Sequence, residues 1–267
     1  MQRTDVNTAA KPFSLCRALA ARRAMTAIAM AALLAALPAL AGAEPQNAAQ
    51  SEAQAAKDGT VTRSQGWEVR YGVTGGEAAI ASLASLVGKA ESYAVDLYKS
   101  KDAATGDALA LGVGEAHGLF AVPLEAAAAT VVDYPNLKAI SPRVREVKVL
   151  ESSATHWRVY EDVGINFMGI SIGYKLDAET FRDALPNGAI GIRSRLTKSH
   201  DGKLYASDAS WYFRPIEIGG VPYTYMRTWS TSGLRSPGPG VAGIMKLFTA
   251  GELRDLVAAV AKVAAKR

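Results

Sequence analysis

The sequence predicts an α+β domain: a curved antiparallel sheet wrapped around one long C-terminal helix, with an extra strand and helix ahead of the sheet. Three observations predict it. A long apolar strand over residues 108–122 ends at Pro123 and leads into two short helical pieces, residues 124–132 and 134–140. From Val144 onward a two-residue alternation dominates, the period of half-buried strands. After the breaker Ser236-Pro237-Gly238-Pro239-Gly240, one helical period runs over residues 241–265.

The first residues read as a leader. Arg17, Arg22 and Arg23 form a basic start, residues 24–40 are an Ala- and Leu-rich apolar run, and Ala41-Gly42-Ala43 gives a small-x-small pattern. A secretory signal peptide cleaved after Ala43 is expected. An uncleaved anchor is the alternative, and Pro38 with the small-residue site argues for cleavage. The single cysteine, Cys16, precedes the apolar run, so the mature chain has no disulfide, thiol nucleophile or cysteine metal site. A chain of this length buries an adequate core without such staples. The net charge of +5 belongs mostly to the leader, which holds five basic residues and one acid. The remainder carries 25 basic and 24 acidic residues, a net of +1, which gives no global argument for nucleic acid.

Residues 44–60 are rich in Ala, Gln, Ser and Glu and read as a flexible tail. Trp67, Val69, Tyr71 and Val73 alternate with Glu68, Arg70 and Gly72, as in a strand. Thr74-Gly75-Gly76-Glu77 has the form of a capping box. Behind it Ile80, Leu83, Val87, Ala90, Ala94 and Leu97 recur at helical steps, which predicts a helix over residues 76–98 packed on its own domain; a coiled-coil partner is the alternative. Gly112, Gly114 and Gly118 suggest bending of the strand that follows. Next come strands around Val147 and Val149, and then Trp157, Val159 and Glu161 opposing His156, Arg158 and Tyr160. Residues 166–174, 190–197, 205–213 and 223–231 complete the strands. The final helix carries Ile244, Phe248, Leu253, Leu256, Val260 and Val263 on one side, and Lys262, Lys266 and Arg267 where the helix dipole favours cations. An antiparallel sheet has one face to bury, and one long helix with an apolar stripe covers it. Where sheet and helix do not fully meet, a cavity remains.

Pro123-Leu124-Glu125, then Val131-Val132-Asp133-Tyr134-Pro135-Asn136-Leu137, then Ile140-Ser141-Pro142 resembles the opening of the START-like superfamily, also called SRPBCC or Bet v 1-like. Its fold is the helix grip, and the terminal helix fits it. The resemblance covers about residues 107–265, and most of its weight lies in the order of elements. It divides the chain into a signal peptide (1–43), a flexible tail (44–60), a strand–helix extension (61–106) and a START-like ligand-binding domain (107–267). It implies a hydrophobic ligand cavity: many members bind or carry lipids, sterols, hormones or polyketides, and a minority are cyclases or related enzymes.

The cavity should be apolar with few polar groups. Candidates are Trp157, Tyr160, Phe167, Tyr174, Trp211, Phe213, Tyr225 and Trp229 from the strands, with Met245 and Phe248 from the helix. Trp211 and Phe213 should share one face and Tyr212 the other. Plain core packing is the competing account of each aromatic. Glu115 and His117, two apart on one strand, are polar candidates, as are Arg193 and Arg195 for an anionic head group. Gly112-x-Gly114-x-x-x-Gly118 misses the dinucleotide spacing, and no nucleophile elbow or zinc motif is present.

The expectation is an exported, periplasmic carrier of a hydrophobic small molecule or lipid. It makes transient membrane contact, binds no nucleic acid and needs no cofactor or metal. A cyclase or hydrolase acting on a hydrophobic substrate is the alternative, with Glu115, His117, Asp133 and Asp208 as its acid–base groups. An envelope scaffolding module is the third.

Overall fold

The computed structural model describes residues 62–64, 67–167, 170–238 and 240–267; the expected leader and the tail at 44–60 lie outside the described residues. Two short strands, β1 (Thr62–Ser64) and β2 (Trp67–Val69), pair as a hairpin. A 3-10 segment, Glu77–Leu86, leads into β3 (Lys89–Lys101) and β4 (Ala108–Phe120). Helix α1 (Leu124–Val131) and a second 3-10 segment, Tyr134–Ala139, follow. Then come β5 (Val144–Ser152), β6 (His156–Phe167), β7 (Ile170–Ala184), β8 (Ile190–Ser199), β9 (Leu204–Ala206), β10 (Asp208–Ile218) and β11 (Val221–Arg235). Helix α2 (Val241–Ala264) closes the chain.

Strands β3 to β11 form one nine-stranded antiparallel sheet in the order β3-β4-β11-β10-β8-β7-β6-β5, with β9 added to β11. The link through α1 carries the chain from β4 to β5 at the far edge. Every later strand to β8 then pairs with its predecessor, and β10 and β11 bring the chain back to β4. Helix α2 returns across β3 and β4 and meets α1. Its Leu253, Val257, Val260, Ala261 and Ala264 recur at three- and four-residue steps and bury against Ala116, Ile192, Phe213 and Met226 of the sheet. Full burial stabilises each Leu or Val here by about 1.5–3 kcal/mol. Trp211 and Phe213 stack with ring centres 5.7 Å apart on this inner face, while Tyr212 joins the opposite one, as alternation requires.

The helix expected over residues 76–98 is instead the 3-10 segment and then β3. Two local facts explain the change. Gly88 takes φ +71°, a left-handed turn that ends the helical run, and its N–H bonds to the Leu119 carbonyl. The Thr74 hydroxyl does not cap a helix but meets the Tyr225 hydroxyl at 3.0 Å. Beyond Gly88, Tyr93, Val95 and Leu97 satisfy a strand period as well as the alanines satisfied a helical one. Pairing with β4 from Lys89↔Leu119 to Lys101↔Ala108 decides between them. The boundary expected after Gly106 therefore falls in the β3–β4 turn, and β3 belongs to the main sheet.

The outer face of the sheet is covered too. Val73, Leu83 and Leu86 of the N-terminal segment bury against Leu119, Tyr212, Ile216 and Tyr225. The molecule is thus layered as helices, sheet and N-terminal segment. Close approach of that segment requires Gly191: a Cβ there would lie 2.4 Å from the ring of Tyr71.

Candidate ligand cavity

Strand β6 sends Trp157, Val159, Glu161 and Val163 toward the inner face, and β7 sends Leu176, Ala178 and Thr180 beside them. Because α2 lies over β3 and β4, the β6–β8 part of this face is roofed, among the described residues, by Val131 of α1, the 3-10 segment Tyr134–Ala139, Ile140, Ser141 and the side of α2 that carries Leu256. A cavity of about 240 Å³ remains. Its walls are mostly apolar, with Val163, Leu176, Ile192 and Trp211 prominent. A second hollow of about 250 Å³ lies between Tyr174, Leu234, Pro237 and Val241. Strand β7 borders both: Tyr174 lines the second hollow and Leu176 the first.

Few polar groups enter the first cavity. The Tyr134 hydroxyl donates to Thr180 Oγ1 at 2.7 Å, and Thr180 donates to Ser194 Oγ at 3.1 Å. Glu161 is the acid among the lining residues, and among the described residues it has no hydrogen-bond or ion-pair partner. Burial pushes its carboxyl up to about 7, and no cation among the described residues opposes that. Burial also raises the Tyr134 hydroxyl, which stays protonated. At the rim, Arg143 pairs with Glu252 and so joins the start of β5 to α2; burial lowers this guanidinium to about 10. Arg267 pairs with Asp133 and ties the chain end to the link after α1.

The aromatic candidates divide by strand face. Trp211 lines the cavity, Trp157 packs beside it with its ring 6.4 Å from Tyr134, and Tyr174 lines the second hollow. Phe213 is fully buried in the core beneath α2. Tyr160 is on the outer face, against His200 and Lys148, because it alternates with Val159 and Glu161. Tyr225 and Trp229 are also on the outer face; on β11 it is Met226 that points to the core under α2. The side chains of Phe167, Met245 and Phe248 lie outside those described.

The four polar candidates, Glu115, His117, Arg193 and Arg195, are on the outer face as well. Glu115 and His117 do share a face, but Ala116 between them is the residue that meets α2. Glu115 Oε2 accepts from Arg227 Nη2 at 2.6 Å and from the Tyr93 hydroxyl at 2.5 Å, and Arg70 Nε lies 3.9 Å from Oε1. Arg70 and Arg227 are 2% and 1% exposed. His117 Nδ1 meets the Tyr225 hydroxyl at 3.1 Å, and burial, helped by Arg227, pushes its pKa down to about 4. Arg193 pairs with Asp183 at 2.9 Å, and Asp183 also accepts from the Tyr71 hydroxyl at 2.9 Å. Arg195 is largely exposed near Glu179. Asp133 is taken up by Arg267, and Asp208 faces Arg195.

One strand, two short helical pieces, a run of antiparallel strands and a long terminal helix clasped by the sheet are now all in place. The fold is a helix grip, an antiparallel sheet with the long terminal helix laid across it. No protein-family model and no curated protein matches the chain. Solved structures similar to it include a STAR-related lipid transfer protein (fragment 25–204) from Xanthomonas axonopodis, at 12% identity and TM-score 0.46, covering 62% of this chain and 98% of that one. Human StAR-related lipid transfer protein 5 is similar at 9% identity and TM-score 0.46, covering 64% and 86%. An aromatase/cyclase from Streptomyces sp. R1128 is similar at 18% identity and TM-score 0.40, covering 57% and 93%. The fold assignment rests on strand order and helix placement, not on these likenesses.

Within this helix grip, Glu161 is the functional candidate that sequence reasoning missed. The signal was present: it is the inward member of the alternating set Trp157-Val159-Glu161-Val163, an acid where its neighbours are apolar. Its cavity can hold an apolar body and offer one carboxyl and a short hydroxyl chain to a polar end. The ionisable groups among its described lining residues are Glu161 and Tyr134, and burial keeps the Tyr134 hydroxyl protonated.

Proposed function

We propose that this chain is an exported binding or carrier protein for a hydrophobic ligand, a lipid or lipid-like molecule, held between the sheet and α2. The observation that carries the reading is the cavity of about 240 Å³ with apolar walls and one inward acid. Size refines it. Covering roughly 200 Å² of apolar surface gains about 5 kcal/mol. Micromolar capture needs about 8 kcal/mol. One filled hollow therefore gives weak capture, and a ligand that extends into the second hollow, or engages Glu161, holds well. Entry runs between α2 and the start of β5, past the Arg143–Glu252 pair, or at the Pro237–Gly240 breaker. Export to the periplasm rests on the leader in residues 1–43.

Enzymatic action on a hydrophobic substrate is the second reading. A carboxyl near 7 favours it as a general acid. The displacement of Glu115 and His117 to the outer face weighs against it.

Native mass spectrometry of the purified mature protein, followed by lipid extraction, tests the carrier reading. The expected result is a co-purifying apolar molecule and uptake of a hydrophobic dye that fatty chains displace. A protein that emerges ligand-free and takes up neither dye nor fatty chain overturns it.

A further inference from the structure

We infer that the ligand carries a cationic amine at its polar end, and that Glu161 is the residue that holds it. This rests on the carrier reading. The cavity is chemically one-sided. Of the elements around Glu161, β5 brings Val144, β7 brings Leu176 and Thr180, β8 brings Ser194, the 3-10 segment brings Tyr134, and α2 brings Leu256. These are apolar groups and hydroxyls. Arg143, which is not among the lining residues, is engaged by Glu252 through Nη2, and its Nε is buried without a hydrogen-bond partner among the described residues. The arginines expected to meet an anionic head group are on the far side of the sheet, where Arg193 is committed to Asp183.

An anionic head group would therefore enter a space with no counter-cation among the described lining residues, beside an acid. A neutral hydroxyl would find an acceptor but leave the carboxylate charge uncompensated. An ammonium group has three donors and one positive charge. Glu161 supplies the charge and one or two acceptors, and the Tyr134–Thr180–Ser194 hydroxyl chain supplies oxygen lone pairs nearby. The burial that lifts the empty carboxyl toward neutrality is relieved when a cation arrives, so binding draws Glu161 into its ionised form.

The test uses three probes with one chain: dodecylamine, dodecanol and dodecanoate, titrated calorimetrically into the mature protein. At pH 8 the amine should bind roughly 10- to 100-fold more tightly than the alcohol, since a hydrogen bond to a charged group exceeds a neutral one by that margin. An alkylamine stays protonated over pH 5.5–8.5, as lysine does. Its affinity should fall as pH drops through the Glu161 titration, by up to roughly 30-fold between pH 8.5 and 5.5. Glu161→Gln should abolish both the amine preference and the pH slope while dodecanol still binds, which also shows that the variant is folded. Equal amine and alcohol affinities, tighter dodecanoate binding, or a pH slope that survives in E161Q overturns the amine assignment and leaves the carrier reading standing. Binding of none of the three removes the carrier reading and this inference together.

Discussion

The two faces of the sheet handle polar groups in opposite ways. On the outer face, several charges are buried and paired: Glu115 with Arg227 and Tyr93, Asp183 with Arg193 and Tyr71. The N-terminal segment presses down on them. On the inner face, beyond the part α2 covers, the described lining residues hold one acid without a partner among them, facing empty space. Groups that already hold each other make structure, and a lone group facing a void is available to something else. This buried network of charged side chains is therefore scaffold, and the candidate site lies on the other face.

The largest test of that contrast breaks an outer pair. Glu115→Ala leaves Arg227, 1% exposed, without its carboxylate. Removing one partner of a buried pair costs about 3–5 kcal/mol. Urea denaturation should show a loss of that size, while uptake of dodecanol, at concentrations where the variant remains folded, should be unchanged. Loss of binding beyond that explained by unfolding would mean that the outer network also serves the site.

The faces should next separate by pH. For Glu161 the folded pKa of about 7 lies above the ordinary 4.5, so the ionised form is disfavoured in the folded state. Its cost is absent below about pH 4.5, grows as pH rises, and is complete above 7. Ligand-free E161Q should match the parent protein at pH 4.5 and exceed its stability by about 3 kcal/mol at pH 8. His117 behaves oppositely. Its folded pKa of about 4 lies below the ordinary 6.5, so stability is intact above 6.5 and lost as pH falls toward 4. His117→Gln should flatten that acid limb by about 2–3 kcal/mol and leave pH 8 stability nearly unchanged. Denaturant midpoints across pH 4–8 check both variants, and parallel curves would erase the distinction between the faces.

The smallest effect sharpens how the N-terminal segment is seated. Gly191→Ala pushes a methyl against Tyr71, at 2.4 Å before relaxation. Overpacking of this kind costs about 1–3 kcal/mol. Faster amide exchange confined to residues near Tyr71 and Asp183 should accompany it, with the cavity side unaffected.

The sequence made the architecture legible because each strand from Val144 on alternates and a single apolar helix follows a Pro-Gly breaker. It also set the relative facing of Trp211, Tyr212 and Phe213. What it left open was which side each set takes. β4 and β11 are buried on both faces, so alternation along them distinguishes two sides without saying which one meets α2. That is why Glu115, His117, Tyr225 and Trp229 were expected at the cavity and stand opposite it. Residues 76–98 misled for a related reason: alanine fits a helix stripe and a strand face alike, and only pairing with β4 decides. Glu161 was placed on the correct strand face but drew no attention, because an acid in an alternating strand usually marks the wet side.

The stitching of the N-terminal segment sets a timetable for assembly. The Arg70 amide bonds to Ser210, 140 residues away, and Thr74 reaches Tyr225 across 151. Neither bond can form until β10 and β11 exist, so the first strands of the domain to be synthesised are among the last to be seated. Such distant closures slow folding toward the millisecond-to-second range of β-rich domains. Until then the apolar side of Leu119, Tyr212 and Ile216 stands uncovered, open to contact with other unfolded chains.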